Sequence, residues 1–171
     1  MDKNEMETPV DELMGRIRLG GEAAREAALV LGLLIERETV HRPVGDDGGV
    51  DALLGDPWAR RRLSPEALRD AVDALIEYVG GETPHVTAVW ALTKSADPRS
   101  VPALTALLDR ALADPAREDL AAQALAGVIA IGVSSIHRGA AMAAIRRAAT
   151  SGSGEAAETA SSYLRLHGGT Q

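Results

Sequence analysis

The residues most able to do chemistry stand in the wrong spacing to do it. His41, His85, His137 and His167 are scattered, and none is followed three or four positions later by a second histidine or a glutamate. That spacing would place two metal ligands on one helical face. Four residues beyond His137 comes Ala141, and four beyond His85 comes Val89. Cysteine is absent, which removes disulfides, thiolate sites and thiol nucleophiles together. Asp46 and Asp47 sit among glycines but lack the alternating acidic order of a calcium loop. Ser151-Gly152-Ser153-Gly154 has no following lysine to hold a phosphate, and no nucleophile elbow accompanies any serine. The expectation is a protein that is not an enzyme, with no catalytic residues, no metal and no cofactor.

The basic side chains are equally restrained. Arg60-Arg61-Arg62 is the one basic run, read as a solvated face near Asp51 and Asp56. The helix expected over 135–150 carries Arg138, Arg146 and Arg147 with no acid of its own, so Arg138 and Arg146 form a candidate secondary basic patch. With 25 acidic against 18 basic residues the net charge is −7, which argues against non-specific nucleic-acid binding.

The elements that must position these residues are helices. Of 171 residues, 31 are alanine and 20 leucine, phenylalanine is absent, and the aromatics are Trp58, Tyr78, Trp90 and Tyr163. Sheets draw on β-branched and aromatic residues, whereas alanine, leucine, arginine and glutamate favour helices, so the fold class expected is all-α. Prolines punctuate it: Thr8-Pro9, Asp56-Pro57, Ser64-Pro65, Thr83-Pro84, Asp97-Pro98 and Asp114-Pro115 each read as a helix start. Gly20-Gly21, Gly80-Gly81, Gly132, Gly152 and Gly168-Gly169 read as stops. These marks predict helices near 9–19, 22–38, 65–79, 84–95, 98–112, 115–131, 135–150 and 154–167. Residues 1–8 and 168–171 are expected to be disordered, and 9–167 to form one domain with an irregular insertion, or less favourably a degenerate repeat, at 39–63. Within it Val44–Gly49 reads as a flexible loop. The charged first ten residues and the lack of an 18-residue apolar run give no signal peptide and no membrane span, which points to a cytoplasmic protein.

A pattern of small-small-x-small-apolar-small recurs from Ala27, Ala88, Ala121 and Ala156, at spacings of 61, 33 and 35 residues. Two spacings equal one helix-turn-helix unit, and the first is nearly two. Between the copies at Ala88 and Ala121 stands Asp97-Pro98-Arg99-Ser100-Val101-Pro102-Ala103-Leu104. This run, with its flanking alanine-rich helices, resembles the bacterial HEAT-like repeats related to those of phycobilisome lyases. The resemblance implies a right-handed α-solenoid of about four helix pairs, whose inner helices line a concave surface. Close alanine packing between stacked pairs is consistent with it, and the polar segment 154–167 reads as a terminal cap.

Position x of each copy holds Leu29, Trp90, Gln123 and Glu158. In the register of the repeat these share one face of successive inner helices, spaced by roughly 10 Å. One turn on, the row continues through Lys94, Gly127 and Ser162, then Arg165. Trp90 is either core filler or the anchor of a binding face, and the small residues around it already claim the packing stripe. The function expected is a protein-interaction module that binds a protein or peptide on its concave face through Trp90, Lys94, Gln123, Gly127, Glu158, Ser162 and Arg165. An inhibitor or immunity-type adaptor is one version. The phycobilisome-lyase resemblance implies an alternative, a protein that holds an open-chain tetrapyrrole, and a nucleic-acid binder is a third.

Overall fold

The computed structural model describes residues 3–39, 49–54, 58–151 and 153–168, and among these every regular element is helical. They are α1 (Lys3–Leu19), α2 (Gly21–Thr39), α3 (Val50–Leu54), α4 (Pro65–Gly80), α5 (Val86–Lys94), α6 (Val101–Leu112), α7 (Glu118–Gly127), α8 (Arg138–Ser151) and α9 (Gly154–His167). Single 3-10 turns at Trp58–Arg60, Pro98–Ser100 and Pro115–Arg117 lie between them, and a π-helical turn, Val128–Gly132, extends α7. Within the described part of 39–63, Val50–Leu54 and Trp58–Arg60 are short helical turns. The Val44–Gly49 loop, Gly49 excepted, lies outside the described residues, as do Asp56-Pro57 and Gly152.

Capping chemistry accounts for three of the helix starts. Ser64 takes an extended conformation and its hydroxyl accepts the N–H of Ala67 at 3.1 Å, with Pro65 at the first helical position. Asp97 accepts the N–H of Arg99 at 2.9 Å and grips the guanidinium of the same residue at 2.7 Å, while the Ser100 hydroxyl donates to the Asp97 carbonyl at 2.6 Å. Asp-Pro-Arg-Ser is thus a self-contained clasp on the entry to α6. Asp114 repeats it before α7, accepting from Ala116 N–H at 3.0 Å and pairing with Arg117 at 3.2 Å.

Two expected starts differ. Pro9 lies within α1, which already begins at Lys3, so helix occupies backbone expected to be disordered. Pro9 is the seventh residue of α1, beyond the four whose N–H groups lack an intrahelical partner, so it costs this helix one backbone hydrogen bond. Thr83-Pro84 precedes α5 by two residues more than expected. His85 is the cap there, and its side chain makes no capping bond.

Glycines divide into two kinds. Gly20 (φ 76°) and Gly21 (φ 64°) are left-handed and turn the chain from α1 into α2. Gly132 ends the π turn where a stop was expected and also serves close approach, since a Cβ there would lie 2.6 Å from that of Ala141 on α8. Gly81 is extended (φ −67°, ψ 179°) and ends α4 without a left-handed residue.

The chain divides into two compact units, Met1–Ser95 and Ala96–Gln171. In the first, α1 packs on α2 and α4 on α5, while α1 also meets α4 and α2 meets α5. Ile17, Leu31, Leu34, Ile35, Leu75 and Leu92 fill its interior, with Ala27, Ala28, Ala88 and Ala91 where backbones come close. In the second, α6 packs on α7 and α8 on α9, while α6 meets α8 and α7 meets α9. Leu104, Leu107, Leu108, Leu125 and Ile145 form its core, with Ala121, Ala124, Ala156 and Ala160 between the helices. In both units the repeat of small residues falls on the second helix of each pair. Alanine at these crossings buries apolar surface while keeping the helix axes near the short end of the usual 8–10 Å spacing.

Candidate functional site

In the first unit the site grows from the packing of α2 on α5. Gly32 is buried, and a Cβ placed on it would collide with Cζ3 of the Trp90 indole and lie 2.9 Å from Ala91 Cβ. The missing side chain therefore makes the seat on which the indole lies. One turn further along both helices, the ammonium of Lys94 reaches Glu36 at 3.1 Å and stands 5.3 Å from the centre of the Trp90 ring. Because Gly32 meets Trp90 and Glu36 meets Lys94, α2 and α5 run in the same direction. The Thr39 hydroxyl ties their ends by donating to the Lys94 carbonyl at 2.8 Å.

Trp90 is only half buried in this setting. One face rests on Gly32, and the cation over the ring adds attraction that grows as water is excluded. Val86 precedes Trp90 by one helical turn and is 38% exposed, and Leu29, a turn before Gly32, is 48% exposed. Large apolar residues at that spacing share the face. The outcome is an apolar strip, Leu29, Val86 and Trp90, bordered by the Lys94–Glu36 pair.

The second unit places the other half of the expected row. The carboxylate of Glu118, at the start of α7, accepts the N–H of Glu155 at 3.0 Å, so α7 and α9 start side by side. Gly154 is left-handed (φ 65°), and a Cβ on it would collide with that carboxylate. Gln123 and Ser162 are half buried, and Glu158 and Arg165 are exposed. Position x is exposed at Leu29 and Glu158 and half buried at Trp90 and Gln123, and in the third copy the exposed residue is Ala126. Gly127 departs from expectation because it is buried. It has no side chain to present, and α7 passes directly from it into the π turn, so the stripe is interrupted there.

Of the secondary basic patch, Arg138 and Arg146 are both exposed. Their neighbour Arg147 is held by Asp109 of α6 through two bonds of 3.0 and 2.9 Å, an acid from another helix that the sequence of α8 could not show. Arg62 lies 3.6 Å from Glu38, and Arg61 stands 5.7 Å from the Trp58 ring centre, so the basic run turns partly onto its own unit. Among the described residues no group of three or more histidine, aspartate or glutamate side chains could hold a metal ion, and no helix is long and apolar enough to cross a membrane.

Gly32, Glu36 and Val86 are the site residues that spacing alone missed. Val86 could have been found as the residue one turn before Trp90, but Gly32 and Glu36 join only through the packing of α2 on α5. In the second unit a groove beside Tyr163 and His167 was likewise missed, although their separation of four residues was visible. No protein-family model, no curated protein and no solved structure matches the chain.

Proposed function

We propose that the chain is a non-catalytic protein-interaction module that takes a protein or peptide partner on the outward face of α2 and α5. Trp90 is the anchor, Leu29 and Val86 its apolar surround, and Lys94 with Glu36 the polar rim. In this reading the two helix pairs of each unit are HEAT-like solenoid repeats. The parallel packing of α2 on α5, and of α7 on α9, supports that, since successive repeats contact each other through like helices. An inhibitor or immunity-type adaptor is the version that the acidic charge favours, because a surplus of carboxylates steers a basic partner.

The observation that carries the proposal is the Trp90 indole seated on Gly32 yet left partly accessible to solvent. A tryptophan held rigid before binding gives up little conformational freedom on association, and central tryptophans ringed by lesser contacts dominate many interfaces. The test is retention of a host protein on the immobilised chain, compared with Trp90→Ala and Leu29→Glu. Loss of that protein by both variants, with circular dichroism unchanged, supports the proposal. Undiminished retention overturns it. A visible absorbance band in the purified chain would favour the tetrapyrrole reading instead, and salt-dependent retention on DNA or RNA the nucleic-acid one.

A further inference from the structure

The end of the second unit that follows the π turn carries a groove of about 410 Å³, walled by Val133, Arg138, Met142, Tyr163, Leu166 and His167. That volume lies in the range of ligand and peptide-side-chain pockets. Its lining presents more polar than apolar surface, and its apolar members reach far into solvent. Leu166 is 74% exposed, and Ile136, in the turn between the wall residues Ser134 and Arg138, is 92% exposed. Scattered exposed leucines are ordinary, but Leu166 meets a methionine and a tyrosine at one groove, a grouping of the kind that marks interaction sites. The Tyr163 ring is held by His167, their centres 4.6 Å apart with a tilt of 33°.

Charge decides what the groove suits. Arg138 is the one formally charged residue on its walls, it is exposed, and its side chain joins no ion pair among the described residues. Arg147 on the same helix shows the contrast, being fully engaged by Asp109. The surroundings agree. The first unit carries 18 acidic and 11 basic residues, whereas the second carries seven of each. The second unit itself has no surplus of acid to repel a carboxylate.

We infer that this groove is a second docking site and that its occupant is a peptide segment of a protein partner in which a carboxylate lies next to a large apolar side chain. The carboxylate takes the Arg138 guanidinium, which matches it in a two-bond geometry. The apolar side chain lies on Met142, Tyr163 and Leu166, with Ile136 at the rim. A phosphopeptide is the poorer match, because phosphate recognition is built from clusters of arginines and one arginine stands here. The inference rests on the reading of the chain as a protein-interaction module, but on other residues, so the two can fail separately.

A random heptapeptide phage library panned on the full chain tests it, followed by titration of one enriched synthetic peptide into ¹⁵N-labelled protein. The expected peptides pair Asp or Glu with Leu, Ile, Phe or Trp. The expected shifts fall on residues 133–142 and 163–167. Affinity should drop at least about tenfold in Arg138→Glu and in a peptide carrying Asn or Gln for its acids, while Arg146→Glu on the same helix keeps it. Trp90→Ala should also leave it unchanged. Peptides without acids, equal affinity for Arg138→Glu, or shifts centred on α2 and α5 would each overturn the inference, the last while leaving the Trp90 proposal standing.

Discussion

Trp90 lies on Gly32. The indole occupies the space where any other residue of α2 would place its Cβ, so the exposure of the tryptophan and the identity of the glycine are one feature. Gly32→Ala should push the ring and Ala91 away and cost about 1–3 kcal/mol of stability, as overpacking of a tight contact does. Urea melts would measure it. Adding Trp90→Ala should recover part of the loss, because the colliding ring is then gone, and the two substitutions should be non-additive.

Gly132→Ala places a methyl 2.6 Å from Ala141 Cβ, within a π turn that cannot rotate freely away. The expected cost is again about 1–3 kcal/mol. If Gly132 were only a helix stop the same change would be nearly neutral, so thermal melts separate the two roles.

The repeat register has its own check. Ala124 is fully buried between helices, while Ala126 is exposed two residues on. Ala124→Leu should cost about 1–3 kcal/mol by overpacking, and Ala126→Leu should stay within about 0.5 kcal/mol of the parent. Equal tolerance would mean that the alanines do not mark the crossings.

The clasp before α6 predicts a pH dependence. Burial pushes the Asp97 carboxyl up, but the Arg99 side chain and backbone N–H outweigh it and hold the group below its ordinary value. A depressed carboxylate contributes stability that is complete above the ordinary carboxylate range and is lost as pH falls through the folded value. Asp97→Ala should therefore be less stable than the parent at neutral pH, and the gap should narrow below about pH 4. Denaturant midpoints taken across that range would show it, and a gap independent of pH would contradict the clasp.

Much of this fold was legible because its helix ends are written in proline, aspartate, serine and glycine, whose effects are local. Ser64, Asp97 and Asp114 cap as their positions suggest. The misreadings share a cause, since one residue type can serve two ends. A glycine that turns left-handed, such as Gly20, and one that admits a neighbour, such as Gly132, look alike until the neighbour is known. Ala96 makes the converse point. It ends α5 at φ 51° with no glycine to announce the turn. At the site, the outward position of Trp90 follows from the small residues around it, which take the packing stripe. Its partners do not follow, because Glu36 and Lys94 are 58 residues apart and meet only once α2 lies on α5. The division at Ser95 and the groove beside Tyr163 are properties of packing that no spacing in the sequence encodes.

The central claim is that Trp90 serves a partner rather than the core. The most direct measurement is titration calorimetry of the captured partner against wild type and Trp90→Ala, with the melting midpoint of each as control. We expect Trp90→Ala to weaken binding by at least about 2 kcal/mol, with a loss of stability well short of the 3–5 kcal/mol typical of a deleted core aromatic. A loss of stability in that core range, with affinity per folded molecule unchanged, would contradict the account.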